Sequence, residues 1–125
     1  MRDERPRPRV LVVDDDEGIR ELITSALAEE GYDVTAATDG VEALDIVRRC
    51  DPAMILLDMR MPVMDGRQFA RAYRAQPGPH APIVICTAAL DAEEDARAIG
   101  AAGFIGKPFR LDDLLAAVGS HTRQA

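Results

Sequence analysis

Six polar residues stand where they could act together. Asp14, Asp15 and Asp16 directly follow the apolar run Val10 to Val13, Asp58 follows Met54 to Leu57, Thr87 follows Ile83 to Cys86, and Lys107 follows Phe104, Ile105 and Gly106. Carboxylates offer hard oxygen ligands to a divalent cation and a nucleophilic oxygen, while a hydroxyl and an ammonium offer donors to a small anion such as a phosphoryl group. Asp14, Asp15 and Asp58 carry three negative charges, which Lys107 and one divalent cation together neutralise. Lys107 is the single lysine among 15 basic residues, so the chain departs from its usual arginine here. A compact ammonium suits a small anion in a tight pocket, where a planar guanidinium does not. Three oxygen ligands with room for water suit magnesium.

Each residue also has a plainer reading. Asp16 leads into Glu17 and a helical pattern, where an aspartate serves equally well as an N-cap. Asp58 alone could be a solvated turn residue, and Thr87 alone is an ordinary strand residue. Capping explains Asp14 and Asp15 together poorly. One helix end needs one side chain, and a second carboxylate at the end of a buried strand costs repulsion and desolvation.

The elements that must position these residues are legible in the hydrophobic pattern. Val10 to Val13 is followed by Ile19, Leu22, Ile23, Ala26 and Leu27 at helical spacing, with Gly31 as the stop. Asp33 to Ala37 precedes Val41, Leu44 and Val47, and Met54 to Leu57 precedes Phe69, Ala72 and Tyr73. Ile83 to Cys86 precedes a helix expected over Ala92 to Ala101, and Phe104-Ile105 precedes Leu111, Leu114, Leu115 and Val118. Five strand-helix units with strands apolar throughout imply an α/β three-layer sandwich around a doubly wound, five-stranded parallel sheet. In such sheets the functional crevice lies at the carboxyl ends of the strands, which is where the six residues fall.

Composition narrows the function further. The chain has 125 residues, a length for one domain, and 47% of them are hydrophobic. Its net charge is −7, and because the first nine residues hold four Arg against Asp3 and Glu4, the remaining body is more acidic still, a poor surface for nucleic-acid phosphates. No apolar run approaches the roughly 18 residues of a membrane span. Cys50 and Cys86 fit neither a disulfide framework nor a zinc site, so they read as reduced core thiols of a cytoplasmic protein. Residues 1–8, with Arg5-Pro6-Arg7-Pro8, are expected to form an extended or disordered arm, residues 9–118 the domain, and residues 119–125 a short tail.

Val12-Val13-Asp14-Asp15-Asp16, Leu56-Leu57-Asp58-Met59-Arg60-Met61-Pro62-Val63-Met64-Asp65-Gly66, Thr87-Ala88 and Lys107-Pro108-Phe109 together resemble the receiver domain of two-component response regulators, over about Arg9 to Val118. The resemblance implies a flavodoxin-like fold with strand order 2-1-3-4-5 and a module switched by phosphorylation rather than an enzyme. It implies that Asp58 accepts a phosphoryl group from a histidine kinase or phosphotransfer protein. Asp15, Asp58 and the main-chain carbonyl of Arg60 would bind Mg2+ directly, with Asp14 acting through water. Thr87 and Lys107 would bind phosphoryl oxygens, and Phe104 takes the switch-aromatic position. The resemblance also implies a cis peptide before Pro108 and phosphorylation-linked pairing through the fourth and fifth units. With seven residues after Val118, too few for an output domain, the chain is expected to be a stand-alone receiver, the alternative being a domain excised from a longer regulator.

Two positions depart from the family pattern. Gly106 is smaller than the usual aliphatic residue, which is expected to loosen the last strand, and Phe104 lacks the hydroxyl of the tyrosine seen in many members. Met59, Met61 and Met64 read as covering the site or filling the core rather than binding a metal, His80 as a surface-loop residue and His121 as solvated. Two rival readings remain. Asp14-x-Asp16 also resembles the nucleophile motif of haloacid-dehalogenase-type aspartyl phosphatases, although the chain is short for that class and shows no cap domain; the other rival is a receiver-shaped scaffold that is never phosphorylated.

Overall fold

A computed structural model describes residues 7–122. Its elements run β1 (Arg9–Val13), α1 (Glu17–Glu29), β2 (Asp33–Ala37), α2 (Gly40–Arg49), β3 (Met54–Leu57), α3 (Gly66–Ala75), β4 (Ile83–Ala88), α4 (Ala89–Ile99), β5 (Gly103–Lys107) and α5 (Leu111–His121). The strands form one parallel sheet in the order β2-β1-β3-β4-β5. This is the flavodoxin-like arrangement expected from the sequence.

Alternation along the buried strands splits the core in two. Leu11, Val13, Ile55, Leu57, Ile83 and Ile85 point to the face covered by Leu44, Ile46, Phe69, Tyr73, Ala96 and Ile99 of α2, α3 and α4. Val10, Val12, Met54, Leu56, Val84, Cys86 and Ile105 point to the other face, under Ile23, Leu27, Leu114 and Val118 of α1 and α5. Because both faces are covered, the central strands have no polar position until they end, which is why the strand ends carry the chemistry. Met59 and Met61 are buried in the first cluster and Met64 packs against it, as core filler should.

Several boundaries differ from the sequence reading. The fourth helix begins at Ala89 and ends at Ile99, where Gly100 adopts a left-handed conformation (φ 63°), two residues before the expected end. Its N-cap, Ala88, makes no side-chain cap bond, so no polar residue marked the start. The last helix continues to His121, three residues past the limit set at Val118, and His121 is half-buried rather than solvated. Gly106 does not loosen β5. A Cβ there would lie 2.7 Å from the Ala89 Cβ and 2.8 Å from its Cα, so glycine lets the start of α4 press against the strand. Most of the proposed N-terminal arm lies outside the described residues. No helix among the described residues is long and apolar enough to cross a membrane.

Candidate functional site

The sheet order reverses between β1 and β3, and the crevice of a doubly wound sheet opens there. Register does the rest. Val13 pairs with Leu57, so the next residues, Asp14 and Asp58, emerge side by side, with the Asp14 N–H bound to the Ala37 carbonyl (3.1 Å) and the Asp58 N–H to the Val13 carbonyl (2.9 Å). On the far side of β3, Thr87 pairs with Gly106 and Ala88 with Lys107, which brings the ammonium to the same end of the sheet.

Lys107 Nζ donates to Asp14 Oδ2 at 2.8 Å and lies 3.7 Å from Asp58 Oδ2. Asp14 Oδ1 accepts from the Asp16 N–H at 2.9 Å, and Asp58 Oδ1 accepts from the Arg60 N–H at 3.3 Å. Asp14, Asp58 and Thr87 are the buried polar side chains among the described residues, at 2%, 6% and 2% exposure, and Asp15 is exposed. One carboxylate oxygen from each of Asp14, Asp15 and Asp58 falls within a group spanning 4.8 Å. Asp16 is diverted from that group, because its side chain caps α1 by accepting from the Ile19 N–H at 3.0 Å. Of the two readings open for Asp16, the cap is the one its geometry satisfies.

Crowding and burial leave an electrostatic signature. Burial, opposed by the charge of Lys107 and reinforced by that of Asp14, pushes the Asp58 carboxyl from 3.8 up to about 6. Lys107 is pushed down by burial, but the hydrogen bond and charge of Asp14, with the charge of Asp58, outweigh this and raise it above 10.5. The site is therefore short of positive charge. Three hard oxygens close together, two of them buried, with one ammonium between them are a donor set that fits magnesium. Cys86, on β4 nearby, is driven by burial to about 12 and stays a thiol.

Other residues named from the sequence lie elsewhere. Phe104 sits on edge strand β5 and is 48% exposed, beside a groove of about 330 Å3 lined by Pro108, Phe109, Arg110 and Asp113. Its neighbour Ile105 is the buried member of the apolar pair. His80 lies between α3 and β4, half-buried, with Nε2 2.8 Å from the Gln76 carbonyl and its ring edge-on to Tyr73 at 5.0 Å. The Lys107-Pro108 peptide is cis.

Three contacts around the site were not foreseen from the sequence. Arg20 Nη1 donates to the Asp14 carbonyl at 2.9 Å. Gly66 opens α3 against the site, since a Cβ there would come 2.6 Å from the Asp58 carbonyl oxygen. Arg60 Nη2 meets Asp91 Oδ2 of α4 at 2.6 Å. Gly66 closes the quoted Met64-Asp65-Gly66 string and Asp65 forms a capping box with Gln68, so a helix start was readable there; the two arginine contacts join residues with no local signal.

Residues 10–119 match the family model described as the response regulator receiver domain. The chain is 41% identical over 110 residues to the response regulator MprA of Mycobacterium sp. (strain KMS), covering 86% of this chain and 47% of that protein. It is 39% identical over 120 residues to the DNA-binding response regulator MtrA of Mycolicibacterium paratuberculosis, covering 94% and 52%. The chain thus spans about half the length of the curated relatives it matches. Among solved structures, chemotaxis response regulator CheY4 of Vibrio cholerae superposes with a TM-score of 0.84 at 35% identity, over 92% of this chain and 98% of that one. The receiver domain of Francisella response regulator 1452 gives 0.82 at 33%, over 91% and 95%.

Proposed function

The chain belongs to the response regulator receiver domain family, and from that premise we propose that Asp58 is its phosphoacceptor in a two-component signalling system, charged by a partner histidine kinase or phosphotransfer protein. The observation that carries this reading is the convergence of Asp14, Asp58 and Lys107 at the sheet reversal, with burial pushing the Asp58 carboxyl up to about 6. Above pH 6 the carboxylate is available as a nucleophile. Its oxygen forms a bond to the phosphorus of a phosphohistidine, the P–N bond breaks, and the imidazole leaves with the electron pair. The product is an acyl phosphate that water can remove. Lys107 neutralises one phosphoryl oxygen and the Thr87 hydroxyl donates to another, so the protein contributes position and charge.

Asp15, Asp58 and the Arg60 main-chain carbonyl would hold Mg2+, with Asp14 acting through water, and the ion would supply the positive charge the site lacks when phosphoryl oxygens arrive. Asp15→Asn is therefore expected to weaken magnesium binding and slow Asp58 phosphorylation by more than Asp16→Asn, whose side chain serves the helix end. Magnesium titrations of the two variants and the parent protein, at fixed pH and ionic strength, check this. Equal effects would break the ligand assignment.

The phosphoryl group carries about −1.5 to −2 of charge in place of the single carboxylate charge, together with strong acceptors, enough to draw Thr87 toward it and favour an inward Phe104 over the exposed one. The affinity of the α4, β5 and α5 surface for its partners, a second copy of the chain included, then changes. Phe104→Ala is expected to be phosphorylated at Asp58 at the parental rate but to lose most of the phosphorylation-dependent change on that surface. As the ring is half exposed, the substitution should cost well under the roughly 3 to 5 kcal/mol of a buried aromatic. Amide exchange with and without beryllofluoride reads the response, and a parental response would remove Phe104 from the switch.

The phosphatase reading needs Asp14 as nucleophile. Both Asp14 oxygens already accept hydrogen bonds, from Asp16 N–H and Lys107 Nζ, and Asp16 is occupied as a cap, so nothing in the geometry favours it.

A further inference from the structure

We propose that the Arg60 guanidinium is a further phosphoryl ligand, held by Asp91 of α4 until Asp58 is phosphorylated and then exchanging one partner for the other. The inference rests on Asp58 being the phosphoacceptor. The main chain of Arg60 is already at the carboxylate, its N–H donating to Asp58 Oδ1 at 3.3 Å, while its side chain reaches over to Asp91 Oδ2 at 2.6 Å. Arg60 also lines a cleft of about 510 Å3 that Asp15 of the carboxylate group lines too, together with Asp65, Arg67 and Asp95.

Charge decides which partner Arg60 takes. Before phosphorylation the three carboxylates are matched by Lys107 and one divalent cation, and Arg60 is free to pair with Asp91. The acyl phosphate then carries close to two negative charges in place of the single charge of the Asp58 carboxylate, with no cation added. Of the other arginines nearby, Arg20 is bound to the Asp14 carbonyl and Arg67 faces the cleft from α3; Arg60 is the one two residues from the phosphoacceptor with its backbone bound to it. A guanidinium offers a phosphoryl group two parallel donors, a stronger contact than a single exposed carboxylate gives. The Arg60–Asp91 pair is solvent-exposed, with side chains at 67% and 43%, so it is weak enough to be exchanged. Because Asp91 lies in the first turn of α4, four residues after Thr87, the exchange releases that helix as the switch operates.

The test is the affinity for beryllofluoride at saturating magnesium in the full chain, in Asp91→Ala, in Arg60→Ala and in the double variant, with Asp91→Asn as a second form that leaves helix propensity less disturbed. Asp91→Ala is expected to tighten the mimic about two- to five-fold, the range for release of an exposed ion pair. Arg60→Ala should weaken it by at least as much, and Asp91→Ala should have no effect in the Arg60→Ala background. In parallel, the Arg60 Nε resonance should move on Asp91→Asn in the free protein and not in the mimic-bound protein. Parental affinity in both Asp91 variants, or the same gain with Arg60 absent, would overturn the exchange while leaving the phosphoacceptor reading intact. A parent protein that binds no mimic would instead overturn the reading of Asp58, and this inference with it.

Discussion

Asp58→Asn should abolish stable labelling by acetyl phosphate and at the same time make the unphosphorylated protein more stable at neutral pH. The two effects share one cause. Asp58 is a buried carboxyl whose ionisation the folded protein opposes, chiefly through burial and the charge of Asp14, so its value stands near 6 in the native state against 3.8 as the ordinary value. Between those two values the unfolded chain ionises while the native protein holds the proton, so stability is full below about pH 4 and falls as pH rises toward 6. The difference corresponds to about 1 to 3 kcal/mol above pH 6 once the attraction of Lys107 and residual hydration are allowed for. An asparagine keeps the shape and carries no charge. The variant should therefore melt higher than the parent at pH 7.5 without divalent cations, and the gap should close as pH is lowered from 6 to 4. A gap constant with pH would mean that the gain does not come from the Asp58 charge.

Lys107→Met is expected to have the opposite sign. The ammonium lies 2.8 Å from Asp14 and 3.7 Å from Asp58, and removing it leaves two buried carboxylates with no cation between them. Breaking a fully buried pair costs about 3 to 5 kcal/mol, and the loss here should fall at or below the lower end of that range at pH 8, because the Lys107 side chain is 20% exposed. Part of that loss is recoverable, because Asp58 can take up a proton, and without Lys107 it does so at higher pH than before. Lys107 itself is raised above 10.5, so its own contribution is intact throughout the neutral range and is lost only as pH rises beyond that. Denaturant titrations at pH 5 and pH 8 should accordingly show a larger loss at pH 8. Phosphorylation of the variant should also be slow, since a phosphoryl oxygen loses its neutralising partner; an equal loss at both pH values would assign Lys107 a packing role instead.

The fold was readable because the strands announce themselves twice, by apolar runs without alternation and by the polar residue that ends each one. Lys107 was conspicuous because it is the one lysine in a chain rich in arginine. The register that sets Asp14 beside Asp58 followed from which strands are neighbours, and the family resemblance carried that neighbour relation more securely than periodicity could. Phe104 is half-exposed because the edge strand β5 is covered on one face, and it is Ile105 that turns inward. Gly106 misled because the space of its missing side chain is filled by Ala89, seventeen positions away in a different element, so a loss of packing expected locally is made good across the fold. The contacts of Arg20 with the Asp14 carbonyl and of Arg60 with Asp91 depend on where α1 and α4 settle on the sheet, and no spacing rule encodes that.

The most direct test of the central claim is to locate the phosphoryl group. The protein is incubated with acetyl phosphate and magnesium, the acyl phosphate is reduced with borohydride, which converts a phosphorylated aspartate to homoserine, and the modified position is read by peptide mass spectrometry. Homoserine at position 58, dependent on magnesium, is the result expected for a phosphoacceptor receiver. Homoserine at position 14 or 16, or an unmodified protein that is fully folded, would contradict it.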